Sequence, residues 1–402
     1  MSYCLAQRGL SQRVLERGRI GETWRTQRWD SFHINTPRSQ TVMPGQRYSG
    51  SDPDGAMPCA EFVSLLEGYA QEQRLPVETG AAVTELATAP DGHFRITTPR
   101  ETLHAANVVI ASGHLNCAVR PALGKNIPKH VRQMDTCDYR NADALAPGAI
   151  LVVGSAQSGG QIAEDLAEQG RKVFLATSRI GRGPRLYRGK HIMSWMVLTG
   201  MIDITRAEML SQGRIASRPL HGSRHTISLQ SLSNKGVVLL GKLNGYDEDK
   251  KVLTFDNDLR ENLRFADESS SQTKLKIDSY IERMGLDAPP AEPDPAEVVA
   301  ARVTEPPILS LDPVFEGITS VIWCTGFRGD FKWARVPGLL DTAGHPVHVA
   351  GVSSIPGIVF AGLDFAVSRR SGTILAIAEE ADRVAALIEA RCNGRNWTSD
   401  TR

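Results

Sequence analysis

Cysteine is scarce in this chain. Six occur in 402 residues, Cys4, Cys59, Cys117, Cys137, Cys324 and Cys392. No two form a CxxC pair and none has zinc-finger spacing, so neither a dithiol redox centre nor a structural zinc is expected. Scattered thiols fit a reducing compartment, and a cytoplasmic location is the expectation. Net charge is only +1, which excludes a polyelectrolyte partner on charge grounds. No apolar run approaches the ~18 residues of a membrane span. The start lacks a charged segment followed by an apolar core, so it is not a signal peptide. HExxH and GxSxG are both absent, and the ten histidines offer no pair suited to a metal. What remains is an ordinary globular composition, 41% hydrophobic and 23% charged. The length suits two domains or one large α/β domain.

The informative stretch is AILVVGSAQSGGQIAEDLAEQGRKVFLATSR, residues 149–179. It reads as a strand, a glycine turn, a helix and a second strand. Gly154 permits the tight turn, and Gly159 lets the helix pack close to the strand. Ser155, Gln157 and Ser158 line the turn and the helix start, where backbone N–H groups attract a pyrophosphate. Ala156 replaces the middle glycine of GxGxxG and crowds the closest approach. Alone, a degenerate glycine motif is weak; flanked by LVV, a helical pattern and a second strand, it is strong.

A shorter copy opens the chain. LAQRG at 5–9 matches LAEQG at 166–170, an offset of 161 residues, and under it Glu16 corresponds to Thr177. Residues 1–16 thus read as a helix, a turn at Gly9 and a strand ending in Glu16. The first strand and glycine loop of that unit would precede Met1, so the expectation is a unit truncated at its N-terminus. The plainer alternative is a helix and a strand with no ancestral loop. An acid at the end of the second strand hydrogen-bonds the ribose hydroxyls of a dinucleotide. In the second unit Thr177 is followed by Ser178, Arg179, Arg182 and Arg185, a set suited to a ribose 2′-phosphate. The leading site therefore looks like one for FAD and the trailing site like one for NADPH. NADH is the nearest alternative, and a solvated basic loop the plain one.

EFVSLLEGYAQEQ (61–73) has helical spacing. VETGAAVTEL (77–86), HFRITT (93–98) and LHAANVVIASG (103–113) read as strands, the last ending at Gly113. A similar ending recurs in TSVIWCTGF, at Thr325 and Gly326. Residues 287–307, rich in proline and acid, read as an exposed linker. SGTILAIAEEADRVAALIEARC (371–392) reads as a long helix with Ser371 near its N-cap. The fold class expected is α/β, two Rossmann-like three-layer dinucleotide-binding domains, with the NADPH domain inserted into the FAD domain. Its boundaries are 1–120, 121–305 and 306–402.

LERGRIGETWR, GSAQSGGQIAEDL, the TSR…R…R segment, CTGFRGDF and FAGLDF…SGTILAI together resemble the flavin-containing monooxygenase superfamily over nearly the whole chain. The resemblance implies FAD and NADPH as cofactors, with dioxygen and a small organic molecule as substrates. It implies that NADPH reduces the flavin, and that a flavin peroxide passes one oxygen atom to the substrate. It places Glu16 on the FAD ribose, with Arg17, Thr23, Trp24 and Arg25 near the adenosine and pyrophosphate. Asn35 falls close to the flavin ring, Val83 offers its backbone to adenine, and Gly362, Leu363 and Gly372 lie near the pyrimidine edge. Tyr139 and Arg140 match the end of the superfamily's HSxxYR linker, where they are either catalytic or a structural hinge. Asp135 stands where that linker has its histidine. Two other readings remain open. One is a truncated nucleotide-binding paralogue without catalysis. The other is an NADPH oxidase or flavin reductase that releases hydrogen peroxide. Nucleic-acid binding by RIGRGPRLYRGKH (179–191) is the exotic reading of a segment better suited to a cofactor phosphate.

Overall fold

The computed structural model describes residues 1–213 and 218–394. Its centre is a five-stranded parallel sheet. The strand order is Arg132–Asp135, Ile318–Trp323, Ala149–Val153, Val173–Ala176, Val238–Leu240. Ala149–Val153 and Val173–Ala176 are buried at every position, as a parallel sheet covered on both faces requires. Alternation divides their side chains between two cores. Ile150, Val152, Leu175, Leu239 and Ile322 pack on Ile162, Ala163 and Leu166 of the helix Gln157–Glu168. Leu151, Val153, Phe174, Ala176, Leu240, Val321 and Trp323 pack on Leu243, Leu253, Phe255 and Leu311 of a three-stranded antiparallel sheet. The layers are therefore helix, parallel sheet and antiparallel sheet.

The strand Ile318–Trp323 lies second in this sheet, paired on both sides. The expected boundary at 305/306 falls ahead of it, so the chain leaves the inserted domain only after Trp323. The proline-rich stretch 287–307 also differs from a free linker. It holds a short helix, Pro295–Val298, capped by Asp294. The buried Glu297 carboxylate meets Arg182, Lys274 and Ser270. The Arg182 side chain is itself 6% exposed, and a buried guanidinium needs such anionic partners. The longest helix, Leu259–Met284, ends at Gly285 in the left-handed conformation.

The other domain is built from both ends of the chain and repeats the layering. Val14–Glu16 pairs in parallel with Val77–Thr79. Val108–Ile110 pairs in parallel with Ile358–Phe360, which leads on to Val352–Ser353 and His348–Val349. A three-stranded antiparallel sheet, Glu85–Thr88, Phe94–Thr97 and Thr102–Ala105, forms the second layer. The helices Ser2–Gln7 and Ile377–Cys392 form the third, with Cys4 and Leu5 packed among Val384, Ala385 and Ile388. The molecule is thus two Rossmann-like three-layer domains, the second inserted into the first. Two expected strands are each divided in two, 77–86 by the turn at Gly80 and 103–113 after Ala105. The C-terminal helix begins at Ile377, later than Ser371. Gly372 lies at φ +75°, outside helical geometry, and the Ser371 hydroxyl accepts the backbone N–H groups of Val367 and Ser368 instead.

Candidate dinucleotide-binding sites

The trailing site follows from close packing at two glycines. Gly154 sits at φ +102°, and a Cβ there would stand 2.5 Å from the Cys324 carbonyl oxygen. A Cβ on Gly159 would overlap the carbonyl oxygen of Gly154. The turn therefore lies flat against the helix start and against Cys324, just past the strand Ile318–Trp323. The helix Gln157–Glu168 has extended Ala156 as its N-cap and no side chain capping it, so its first N–H groups remain available to an anion. Gln157 Oε1 is enclosed with no partner among the described residues, an acceptor open to a hydroxyl or amide donor. Ser158 lies beside it in the first turn.

Ser155 ties the turn to the second strand, its Oγ accepting the Ser178 backbone N–H at 3.0 Å. Thr177 is buried and its hydroxyl is used inside the fold, donating to the Leu240 carbonyl and accepting from Asn262. The exposed Arg179 stacks 4.6 Å over the Phe265 ring, which holds the guanidinium at the strand end. Arg182 is engaged with Asp267 and Glu297. Arg185 is 5% exposed and turns the other way, donating to the Asp54 carbonyl at 2.8 Å. Thr325 donates to the Val119 carbonyl, and Val119 N–H donates to Gly326. This places both residues just past Cys324, beside the Gly154 turn.

At the leading site, Glu16 Oε1 accepts the Gly18 N–H at 2.8 Å. The Glu16 carbonyl accepts from Ala81 and the Gly18 carbonyl from Gly80, which brings residues 80–83, Val83 included, beside the strand end. Arg17 is exposed there. Thr23, Trp24 and Arg25 lie on the helix Glu22–Thr26. Trp24 stacks edge-on to Phe62 at 4.9 Å under the Arg28 guanidinium, and Arg25 pairs with Glu67. Gly113 and Gly362 both take positive φ and face each other, the Gly113 Cβ position being 3.8 Å from the Gly362 carbonyl. Leu363 is 1% exposed in the core beneath them. A Cβ on Gly372 would meet Asp364.

The two domains meet along one face of the helix Gln157–Glu168. Gln161 donates to Asn35 Oδ1 at 2.9 Å, which leaves the Asn35 amide as a donor. Asp165 accepts from Tyr139 at 2.6 Å and from Ser31 at 2.5 Å. Tyr139 has no exposure, and burial followed by the Asp165 bond holds its phenol well above the ordinary value. Arg140 donates to the carbonyls of Cys137 and Tyr139. This placement fits the structural hinge. Asp135 closes a capping box with Asp138 and pairs with Arg120. Sequence reasoning missed Gln161, Asp165 and Phe265. A signal was present for the first two, because Gln157, Gln161 and Asp165 recur every four residues and form a polar stripe on an otherwise buried helix.

Residues 1–196 match the pyridine nucleotide-disulphide oxidoreductase family. A CzcO-like uncharacterized oxidoreductase of Geobacillus kaustophilus is 28% identical over 385 residues, 95% of this chain and 92% of its own length. A flavin-containing monooxygenase from Stenotrophomonas maltophilia superposes with a TM-score of 0.61 at 15% identity, covering 97% of this chain and 94% of its own. A second solved relative, OTEMO in complex with FAD and NADP, superposes with a TM-score of 0.55 at 14% identity, covering 98% and 83%. These structural likenesses concern the fold. No helix among the described residues is long and apolar enough to cross a membrane. The described residues hold no cluster of metal-ligating side chains.

Proposed function

We propose that this protein is an NADPH-dependent flavin oxidoreductase that inserts one atom of dioxygen into a small organic substrate. The observation that carries it is the trailing turn: two glycines that tolerate no side chain, an uncapped helix start, and Arg179 held over Phe265. The donor set suits NADPH. Helix N–H groups meet the pyrophosphate, Gln157 Oε1 accepts from a ribose hydroxyl or the carboxamide, and Arg179 meets the 2′-phosphate. The Glu16 carboxylate suits the two free hydroxyls of the FAD ribose and repels a phosphate. Gly113 and Gly362 let backbone approach the flavin closely. A flavin held there would supply the electron transfer between NADPH and dioxygen.

The protein's own part is binding, orientation and shielding. Gln161 engages Asn35 Oδ1, which leaves the Asn35 amide as a donor for a flavin. The bonds Ser31–Asp165 and Gln161–Asn35 join the two domains, so the nicotinamide and flavin sites keep one separation. The occupied Asp135 favours a second reading, an NADPH oxidase that releases hydrogen peroxide, because a structural carboxylate stands where the superfamily linker has its histidine. One assay separates the two. Purified protein supplied with FAD should oxidise NADPH faster than NADH, and a true substrate should lower peroxide yield per NADPH. Stoichiometric peroxide with every substrate tried would favour the oxidase. No preference between NADPH and NADH would remove the cofactor assignment.

A further inference from the structure

Buried hydrogen-bond donors without partners are rare, because each costs about 1–3 kcal/mol. Two such donors and a further unpartnered ring nitrogen stand together where the domains meet. Arg185, 5% exposed, uses Nη2 on the Asp54 carbonyl, while its Nη1 is enclosed with no partner among the described residues. His191, 1% exposed, accepts the Met193 N–H on Nδ1 at 3.0 Å. The proton of its neutral ring therefore sits on Nε2, which is also enclosed without a partner. Nδ1 of His221 is the further nitrogen, unpartnered among the described residues. The groups are close enough that burial first, then Arg185 and His221, push His191 down to about 3. His221 falls equally, from burial and then Arg369, Arg185 and Arg218. Both domains shape the place. Gln40 donates to Ser194 at 3.2 Å, and the Arg369 N–H donates to the Ile204 carbonyl.

The chemistry of the missing partner follows from charge. Arg185 forms no ion pair among the described residues, and its nearest carboxylates are Asp54 and Asp52. Asp364 is engaged by Arg218. The two imidazoles are held neutral. Arg185, with Arg369 and Arg218 beside His221, makes the place positive, and Arg218 is offset by Asp364. Such a place suits an anion with several lone pairs, a carboxylate among them, and does not suit a cation.

We propose that Arg185, His191 and His221 form a receptor for the carboxylate of the substrate, so that the oxygen acceptor is a small organic acid. This rests on the oxidoreductase reading above. It assigns Arg185 to the substrate and leaves the cofactor's 2′-phosphate to Arg179.

The test is binding, read by calorimetry on the full chain without turnover. Benzoate and phenylacetate are the probes, benzamide and phenylacetamide their neutral controls, and NADP⁺ the cofactor probe. The acids should bind and the amides should not. Arg185→Gln should weaken the acids at least tenfold and leave NADP⁺ within twofold. His191→Asn keeps an acceptor for the Met193 N–H and removes the Nε2 donor. It should weaken the acids several-fold, which guards against a misfolded Arg185 variant. Equal binding of acids and amides, or acid binding unchanged in both variants, would overturn the site. Loss of NADP⁺ but not NAD⁺ in Arg185→Gln would make the group a cofactor-phosphate ligand and also overturn it. Failure of the parent protein to bind NADP⁺ would instead strike the functional reading.

Discussion

Gly154→Ala tests the trailing turn most sharply. The backbone there sits at φ +102°, a region costly for any residue with a Cβ. The new methyl would also stand 2.5 Å from the Cys324 carbonyl oxygen. Ordinary contact begins near 3.4 Å, so the turn must shift by about 0.9 Å. The neighbour is the backbone of buried Cys324, just past the strand Ile318–Trp323, so it cannot swing aside as a side chain would. Strain of about 1–3 kcal/mol and a comparable packing cost together predict a loss of about 2–5 kcal/mol. The same shift pulls helix N–H donors out of hydrogen-bond range of a pyrophosphate. One such charge-assisted contact is worth about 1.5–3 kcal/mol, roughly a ten- to hundredfold weaker Kd for NADP⁺. Urea unfolding gives the first quantity and calorimetry the second. FAD content should be unaffected, because Glu16 and Gly113 lie in the other domain. A variant with parental stability and NADP⁺ affinity within twofold would refute the assignment of this turn.

Other perturbations address separate parts of the structure. Glu16→Ala should weaken FAD about tenfold with NADP⁺ unchanged, measured by flavin retention on dialysis; equal loss of both would detach Glu16 from the flavin. Leu166→Ala, at a position with no exposure, should cost about 2–5 kcal/mol in unfolding free energy, and a cost under 1 would mean the inserted domain is loosely packed there. His191 should make the protein acid-sensitive. Its folded value of about 3 lies below the ordinary 6.5, so the unfolded chain binds the proton first. Stability is full above about pH 6.5 and falls by about 1.4 kcal/mol per unit as pH drops toward 3. Between pH 7 and 5 the loss from this residue is about 2 kcal/mol, and His191→Asn should remove it; an unchanged slope in that variant would place the sensitivity elsewhere.

The trailing crossover was legible because its signature is contiguous: apolar strand, glycines and helix fall within thirty residues, and local geometry decides their roles. The short copy at 5–16 was legible for the same reason. What composition could not show was direction. Arg179, Arg182 and Arg185 look alike in a string, yet one stacks on Phe265, one is sealed by Glu297 and one turns toward Asp54. The partner that decides each lies eighty residues or more away, or in the other domain. Glu297 hid in a proline-rich stretch whose composition suggests solvent, because a buried acid is visible only once its arginine is in place. The strand Ile318–Trp323 was recognised as a strand, but its membership of the inserted sheet is a pairing fact that periodicity does not carry. Ser371 looked like a helix cap until the positive φ of Gly372 moved the helix start to Ile377.

The central claim is that Arg179 reads the 2′-phosphate of the electron donor at the trailing crossover. Anaerobic flavin reduction, followed by stopped flow with NADPH and with NADH, tests it directly in the parent protein and in Arg179→Ala. The account predicts a parental preference for NADPH of about tenfold or more, erased in the variant by a loss confined to NADPH. An equal preference in parent and variant, or none in the parent, would contradict it.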